Sequence, residues 1–347
     1  MTAVPNDVVT PAIDQVASGR DLTADEAAAV LREIMEGRVS ETQSAAFLIA
    51  LRTKGETVDE VAGLAATMRE LALRVDLARP DLVDTAGTGG GAPSFNVSTT
   101  AALVAASAGA TVAKHGNRSA TGRCGSADVL EALGARIDLE PAAIAECIAD
   151  VGFGFMFAPV HHQAMRYVVP VRRELAVRTI FNLLGPLTNP AGATRQVIGV
   201  ADPAYLEIMA GALARLGSES ALIVSSEDGL DELSVSAPTR VVELRDGRID
   251  SFTLAPEEAG LERTPADSLA QGDPAENAEL TRAVVGGQIE GVERSLVLLN
   301  AGAALYVGGA AGSIQAGVRE ADDAIASGAA AELLERYVAK TKELAPA

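Results

Sequence analysis

The chain has 347 residues, of which 48% are hydrophobic and only 3% are aromatic, so its core must be built largely from aliphatic side chains. Its 47 acidic and 28 basic residues give a formal net charge of −19, which opposes the basic surface on which nucleic-acid binding depends. No apolar run approaches the roughly 18 residues of a membrane span, and the two cysteines, Cys124 and Cys147, are too few for a disulfide framework. We therefore expect a cytoplasmic protein of about two domains, with no nucleic-acid or membrane partner.

Residues 1–76 are predicted to be wholly helical. Three stretches of the capping-box type, TADE from Thr23, SETQ from Ser40 and TVDE from Thr57, each precede an apolar run with helical spacing. Thr10 before Pro11 predicts one further helix start, because proline is favoured at the first helical position. The turns between these segments are short, which predicts a small helical bundle. No residue of this region suggests chemistry.

From Leu82 onward, short apolar segments alternate with helical segments, a pattern typical of an α/β domain with a mostly parallel central sheet. Strands are predicted over 82–85, 111–114, 153–157, 195–200 and 221–225, and helices over 141–151 and 203–216. Alternation on both sides of Asp246 and Gly247 predicts a hairpin over 240–254. Further helices are predicted near 276–286, 292–305 and 319–342, with residues 255–275 forming a surface excursion.

Two polar turns containing glycine follow the first two predicted strands. The first holds four glycines within residues 87–91, and Ser98 and Thr99 then open an alanine-rich helix. The second begins with Lys114 and runs through the sequence KHGNR. Glycine lets backbone N–H groups approach a phosphate closely, and a helix N-terminus offers unpaired donors at its positive end. The two turns therefore predict a phosphate-binding cradle.

Other interpretations of the first turn fit less well. The spacing of Gly87, Gly89 and Ala92 matches a loose dinucleotide-binding pattern, but no carboxylate follows about 20 residues later. A Walker-type loop requires a lysine after the glycines, and none is present. A glycine-rich turn without any ligand is disfavoured because two such turns end successive strands.

The motifs GTGG, NVST, KHGNR and GSADVLEALG together resemble the anthranilate phosphoribosyltransferase family. The resemblance continues through APVHHQAM, PVRREL, RTIFNLLGPLTNP and DGLDELS, so it covers nearly the whole chain. It implies a helical domain over residues 1–76, joined by a returning segment near 163–190, and an α/β phosphoribosyl-binding domain over residues 80–347. It also implies a homodimer formed through the helical domain.

The reaction that this resemblance implies belongs to tryptophan biosynthesis. The phosphoribosyl group of phosphoribosyl pyrophosphate is transferred to the amine of anthranilate, giving N-(5-phosphoribosyl)anthranilate and pyrophosphate. Magnesium, as two ions, is the implied cofactor, since Mg²⁺ prefers oxygen ligands and substrate phosphates. No residue is assigned as a catalytic acid or base, because positioning and charge stabilisation carry the reaction.

The site residues are likewise assigned by resemblance. Those assigned to phosphoribosyl pyrophosphate lie in the two turns and the helix starts beside them: Gly87, Gly90, Gly91, Ser94, Asn96, Val97, Ser98, Thr99, Lys114, His115, Gly116, Asn117, Arg118, Ser119, Ala120, Thr121, Gly122 and Ser126. Those assigned to anthranilate are Gly87, His115, Asn117, His162 and Arg172. The metal ligands are Ser98, Asp231 and Glu232. Judged from the residues alone, the two adjacent carboxylates are explained equally well as a solvated acidic turn.

Two positions depart from the family pattern. Gly91 stands where the family usually has aspartate, in a loop one residue shorter, and Thr121 and Gly122 replace a usual pair of serines. Two rival functions remain weaker: a pyrimidine nucleoside phosphorylase lacks the pairing of KHGNR with GPLTNP, and a non-catalytic nucleic-acid-binding relative conflicts with the net charge of −19.

Overall fold

Four helices form the N-terminal bundle in the computed structural model, which describes residues 5–77, 79–119, 122–265, 269 and 271–345. The helices are α1 (Val9–Ala17), α2 (Ala24–Met35), α3 (Glu41–Lys54) and α4 (Val58–Glu70). Thr23 and Thr57 form full capping boxes, as predicted, whereas Ser40 only accepts a hydrogen bond from the Gln43 N–H. The helix start predicted at Thr10 and Pro11 is wrong. The Asn6 side chain accepts hydrogen bonds from the N–H groups of residues 8 and 9, so α1 begins earlier.

A sheet of seven strands forms the centre of the larger domain. The strands are β1 (Leu82–Gly87), β2 (Thr111–Gly116), β3 (Phe153–Phe157), β4 (Arg195–Gly199), β5 (Ser220–Ser226), β6 (Thr239–Arg245) and β7 (Arg248–Leu254). Their order is β3-β2-β1-β4-β5-β6-β7, parallel from β3 to β5 and antiparallel beyond. Asp246 and Gly247 both have positive φ in the predicted hairpin turn. The predicted α/β class is confirmed.

Eleven further helices lie among the described residues after the bundle. They are α5 (Val97–Ser107), α6 (Ser126–Ala132), α7 (Pro141–Val151), α8 (Ala158–His161), α9 (Val169–Leu175), α10 (Phe181–Leu184), α11 (Leu206–Arg215), α12 (Pro274–Val285), α13 (Val292–Gly308), α14 (Ile314–Ala326) and α15 (Ala329–Glu343). The single helix predicted over 319–342 is wrong, because Gly328 with φ 84° separates α14 from α15. Within the described ranges, no helix combines the length and apolar character needed to cross a membrane.

Two hydrophobic cores lie on opposite faces of the sheet. One contains α5, α13 and the helices around them. The other joins the bundle to the sheet: Leu48 and Leu64 share it with Met209 of α11 and Ile223 of β5. The segment from Gln163 to Pro190 contributes Val171 of α9 to the same core. Although the bundle comes first in the chain, it therefore packs on one face of the sheet through α11, and α9 returns to it.

Glu60 provides a test of the bundle's stability. Its carboxylate is fully buried and accepts hydrogen bonds from the Leu22 N–H at 3.0 Å and the Thr57 N–H at 2.8 Å. The Lys54 ammonium group lies 2.9 Å away, with a side chain only 6% exposed. Removal of one partner of a buried ion pair leaves an uncompensated charge. We expect Lys54→Ala to lower the free energy of unfolding by about 3 kcal/mol or more, measured by urea denaturation.

The matched control is Arg79→Ala, which removes a surface ion pair with Asp81 in which both side chains are at least 40% exposed. This loss is expected to stay below about 1 kcal/mol. Equal losses in the two variants would show that burial of Glu60 does not set the strength of the pair.

Candidate active site

Asp84 joins three segments at the ends of the central strands. It is buried in β1, and its carboxylate accepts hydrogen bonds from the backbone N–H of His115 at 3.0 Å and the side-chain amide of Asn189 at 2.8 Å. Asn189 donates its second amide proton to the carbonyl of Ala113 at 2.8 Å. Burial raises the pKa of Asp84 to about 6, although the positive charge of Lys114 opposes the shift. The only sequence signal for this role was a carboxylate inside an apolar strand.

Lys114 lies beneath the start of α5. It is 1% exposed, and its ammonium group donates to the Thr85 carbonyl, to the Thr85 hydroxyl at 3.1 Å and to the Ser98 hydroxyl at 3.5 Å. The Thr85 hydroxyl in turn donates to the Ser98 carbonyl at 3.0 Å. Burial lowers the pKa of Lys114, and the carboxylates of Asp84 and Glu232 oppose that shift. A buried cation thus faces the positive end of a helix.

The first turn of α5 carries donors suited to an anion. The buried Thr99 hydroxyl has no hydrogen-bond partner in the part of the chain that the structure describes. Asn96 holds the helix start through its side chain, which donates to the Cys124 carbonyl at 3.3 Å and accepts from Asn277 at 2.8 Å. Val97 is buried in the core, and its backbone N–H donates to the Phe95 carbonyl at 2.8 Å. An unpaired hydroxyl at a helix N-terminus is the arrangement expected of a phosphate site.

The glycine-rich loop lies directly against the loop that carries the acidic pair. The Thr88 N–H donates to the Gly199 carbonyl at 2.9 Å, and the Ala92 N–H donates to the Gly229 carbonyl at 2.7 Å. Gly89 and Gly90 have positive φ, but Gly91 does not. Instead, a Cβ at residue 91 would lie 2.5 Å from Oδ1 and 2.7 Å from the backbone nitrogen of Asp231. Glycine is therefore required at position 91 because a Cβ has no room there, not because the backbone has a positive φ. Ser94, in the same loop, donates to the adjacent Phe95 carbonyl.

Asp231 and Glu232 are only partly exposed in the loop between β5 and β6. Burial raises the pKa of both carboxyl groups, and the Asp231 charge raises that of Glu232 further. The backbone of Ser98 hydrogen-bonds to Glu232, which places the acidic loop beside the start of α5. No three His, Cys, Asp or Glu side chains gather into a metal cluster among the described residues. Two carboxylates and a hydroxyl fit a hard cation whose other ligands are substrate oxygens and water.

The second polar turn folds around Ser126 and Asp128. The Asn117 carbonyl accepts from the Ala127 N–H at 3.2 Å, and the Ser119 hydroxyl accepts from the Gly122 N–H at 2.7 Å. A Cβ on Gly116 would overlap the Ser126 hydroxyl and lie 2.8 Å from the Phe155 ring. Tight packing therefore fixes this turn beside β2. Ala120 and Thr121 lie outside the described residues.

The resemblance assigns Arg118 to phosphoribosyl pyrophosphate, which would require an unpaired guanidinium group. In the structure this group is already paired. Its guanidinium group pairs with Asp128 at 2.7 Å and with Glu131 at 2.5 Å, and both contacts raise its pKa. Its side-chain charge is thereby neutralised at the surface, while its backbone remains in the turn. The segment predicted as a surface excursion over 255–275, of which residues 266–268 and 270 lie outside the described residues, also contacts this turn, because the Gln271 carbonyl accepts from Arg123 at 3.2 Å.

The histidines form a buried, uncharged wall. The rings of His115 and His162 lie 5.1 Å apart between centroids. Nε2 of His115 and both ring nitrogens of His162 have no hydrogen-bond partner within the described ranges. Burial lowers the pKa of both, that of His162 to about 4, so both rings are neutral near pH 7. His161 is separate: its Nδ1 lies 2.7 Å from the Leu73 carbonyl, which ties α8 to the segment after the bundle.

Arg172 supplies a half-buried cation from α9. Its guanidinium carbon lies 5.7 Å from the ring centroid of Phe181, and burial lowers its pKa. It pairs with no carboxylate in the portion of the chain that the structure describes. Its neighbour Arg173 is exposed. An unpaired guanidinium fits a carboxylate in two-point geometry, which makes Arg172 the stronger candidate for an acidic ligand.

A separate cavity of about 560 Å³ borders the glycine-rich and acidic loops. It is lined by Ala92, Pro93, Asp228, Leu230, Ser236, Arg263, Pro265 and Leu269. None of the residues assigned to substrates or metal by resemblance lines it. The predicted site residues therefore belong to the strand-end surface rather than to this cavity.

Two family models match most of the chain. The model of the glycosyl transferase family α/β domain matches residues 79–331, and that of the family's helical bundle domain matches residues 10–72. An anthranilate phosphoribosyltransferase from Rubrobacter xylanophilus is 51% identical over 96% of this chain and 98% of its own length.

Solved structures agree with these matches. Anthranilate phosphoribosyltransferase from Thermus thermophilus superposes with a TM-score of 0.90 at 48% identity, covering 95% of this chain and 99% of that one. The Saccharomyces cerevisiae protein, solved in complex with PRPP and Mg, gives a TM-score of 0.89 at 27% identity, covering 98% and 99% of the two chains.

The lack of room for a side chain at Gly91 gives a testable prediction about stability. Replacing glycine with alanine at a compatible backbone normally stabilises a protein by about 0.4–1 kcal/mol. At position 91 the new Cβ would press on the backbone of Asp231, so we expect Gly91→Ala to lower the melting temperature instead. Gly312→Ala is the matched control, because Gly312 lacks a positive φ and nothing lies within 4 Å of its Cβ position. Differential scanning calorimetry would measure both, and a Gly91 variant as stable as the control would contradict the packing argument.

Proposed function

The chain belongs to the anthranilate phosphoribosyltransferases of the glycosyl transferase family, and we propose that the residues described above bind their two substrates. The enzyme transfers the phosphoribosyl group of phosphoribosyl pyrophosphate to the amine of anthranilate in tryptophan biosynthesis. The products are N-(5-phosphoribosyl)anthranilate and pyrophosphate. The observation that most strongly supports the site assignment is the convergence of Lys114, Ser98 and Thr99 at the start of α5, beside the glycine-rich loop.

The phosphate groups are assigned to the cradle. The Thr99 hydroxyl at the start of α5 and the backbone of the loop around Gly90 supply hydrogen bonds to oxygen atoms. Lys114 adds a fixed charge from below. As the bond between ribose C1 and pyrophosphate breaks, negative charge grows on the leaving group and positive charge on the ribose. Donors already held in place stabilise the leaving charge without reorganising.

Magnesium is assigned to Ser98, Asp231 and Glu232, whose oxygen donors match the ligands it prefers. Two ions are proposed, as the resemblance implies. When bound, magnesium neutralises pyrophosphate and makes it a better leaving group. This chain places Glu232 close enough to Lys114 for the two opposite charges to offset each other.

Anthranilate is assigned to His115, His162 and Arg172, together with Gly87 and Asn117, as the resemblance implies. The unpaired guanidinium of Arg172 suits the carboxylate, and the neutral histidine rings suit the aromatic body. The amine nitrogen attacks ribose C1, the C1–oxygen bond to pyrophosphate breaks, and the nitrogen loses its proton after the new bond forms. No acid or base from the chain is assigned to this step.

A homodimer through the bundle is proposed on the basis of exposed apolar residues. Ile49 of α3 and Val169 of α9 lie on helices that contact one another, and each is 37–40% exposed, as are Val8 and Tyr167. A partner subunit covering these side chains would remove them from water. We place the protein in the cytoplasm, where the pathway's substrates are made. Sedimentation of the purified chain tests the dimer, and a monomer would overturn it.

The assay that tests the function follows the loss of anthranilate fluorescence in the presence of phosphoribosyl pyrophosphate and MgCl₂. We expect consumption that depends on both additions. Stable fluorescence with all components present would overturn the proposed use of this site.

Arg172→Ala should raise the KM for anthranilate far more than the KM for phosphoribosyl pyrophosphate. Loss of a charge-assisted contact worth about 1.5–3 kcal/mol corresponds to roughly a 10- to 150-fold increase. Arg173→Ala, which removes the same side chain one residue later on an exposed position, should leave both constants near wild type. Steady-state fluorescence measures them, and equal effects on the two substrates would assign Arg172 to the fold or the phosphates.

Asp231→Asn and Glu232→Gln should raise the magnesium concentration needed for half-maximal rate, because each keeps its shape and loses a ligand charge. Glu227→Gln, the same change at an exposed residue of the same loop, is the control and should leave the requirement unchanged. Rates across a MgCl₂ titration provide the measurement. If both variants retained the wild-type magnesium dependence, the pair would be only an acidic surface turn.

A further inference from the structure

Arg178 connects the returning segment to the phosphate cradle. It lies between α9 and α10, two residues after Ala176, which has a left-handed backbone with φ 53°. From there its guanidinium group reaches the glycine-rich loop and donates to the Gly89 carbonyl. It also covers Gly90 so closely that a Cβ at that position would overlap it. The segment that contributes to the bundle core thereby touches the loop assigned to phosphate.

The charge of this guanidinium is not matched by its contacts. Its hydrogen-bond partner is a neutral carbonyl, and in the described part of the chain it forms no ion pair within 4 Å. Asp231 is the carboxylate whose pKa it lowers by charge, without direct pairing. A guanidinium carries five donors in a rigid fork, so most of them remain free after one bond to Gly89. Arg118, by contrast, is fully engaged by two carboxylates.

The position of the Arg178 guanidinium group, between the glycine-rich loop and Asp231, indicates which ligand it can bind. Gly90 has a left-handed backbone in the loop assigned to phosphate, and Asp231, an assigned metal ligand, accepts a hydrogen bond from the backbone of Gly89. An anionic group held between the loop and the metal ligands would therefore meet the guanidinium. Planar, two-point pairing with phosphate oxygens is the contact that arginine makes best.

We propose that Arg178 binds the pyrophosphate group of phosphoribosyl pyrophosphate and stabilises it as it leaves. This inference rests on the proposed function and adds a residue to it. Because Arg178 comes from the returning segment, whereas the loop belongs to the sheet domain, pyrophosphate would join the two sides of the site. The negative charge on the leaving group grows during the reaction, so the contact should influence kcat as well as binding.

The experiment titrates sodium pyrophosphate, with MgCl₂ present, into the full-length protein by isothermal titration calorimetry. Arg178→Ala and Arg178→Gln remove the charge, and the glutamine can still donate to the Gly89 carbonyl. Each is expected to weaken pyrophosphate binding by about 10-fold or more, since a charge-assisted contact is lost. Arg178→Lys keeps the charge but not the planar fork, so it should recover only part of the affinity that the alanine variant loses. Arg173→Ala, an exposed arginine on α9, serves as the control and should bind normally.

Three results would overturn the proposal. Wild-type affinity in the alanine variant would show that Arg178 makes no contact with pyrophosphate. Wild-type affinity in the glutamine variant would show that Arg178 only anchors the loop. An equal loss in the lysine and alanine variants would show that its charge is not what matters.

A kinetic measurement separates this inference from the function on which it rests. Arg178→Ala should lower kcat and raise the KM for phosphoribosyl pyrophosphate, with the KM for anthranilate unchanged. If the wild-type protein failed to consume anthranilate, the proposed function would fall, while pyrophosphate titration would still decide the role of Arg178. If the wild type were active and all variants bound pyrophosphate alike, only the role of Arg178 would be lost.

Discussion

The buried carboxylate of Asp84 is the interaction on which the rest of the site depends. It holds the end of β1 to the backbone of β2 at His115 and to the side chain of Asn189. Asn189 belongs to the segment that also places Gly185 beside His115 and Leu187 beside the bundle, where the partly buried Arg69 donates to the Leu187 carbonyl at 2.6 Å. One carboxylate thus aligns two strands and the segment that meets the bundle. A buried charge with several hydrogen bonds is sensitive to displacement, because each lost partner leaves a polar group without water.

Electrostatics explains how so acidic a protein can bind an anionic substrate. The net charge of −19 is distributed over the whole chain, whereas Lys114 is buried at the positive end of α5. Burial disfavours the charged form of Lys114, and the negative charges of Asp84 and Glu232 compensate for this. A phosphate in the cradle would add further compensation at short range, where water screens little. Local arrangement, not net charge, therefore decides which ligand the site accepts.

Local patterns predicted the elements that they alone determine. The capping boxes at Thr23 and Thr57, the strand periodicity and the turn at Asp246 each depend on a few adjacent residues, and the structure contains all of them. Contacts between residues far apart in the sequence could not be predicted from such local patterns. Asn6 captures the start of α1, Asp128 and Glu131 engage Arg118, and Gln271 closes a turn almost 150 residues earlier in the chain. Family motifs assigned the site residues but gave no orientation for them, so neither the wall of unpaired histidine nitrogens nor the reach of Arg178 could be inferred.

Near Gly91 this chain differs from the family pattern in two ways: glycine stands in place of aspartate, and the loop is one residue shorter. The resemblance places an aspartate there in the family, whereas here the space for its Cβ is filled by the backbone and carboxylate of Asp231. The acidic loop lies directly against the glycines, and the hydrogen bond from the Ala92 N–H to the Gly229 carbonyl holds the two loops together. Pyrophosphate in such a site would meet one carboxylate fewer, which reduces repulsion between like charges when metal occupancy is low. The guanidinium of Arg178 lies over the same glycines, so the loss of an acidic side chain and the presence of a basic one shift the potential in the same direction. In the proposed site, packing between the loops therefore sets the electrostatic environment of the leaving group as much as the identity of its ligands does.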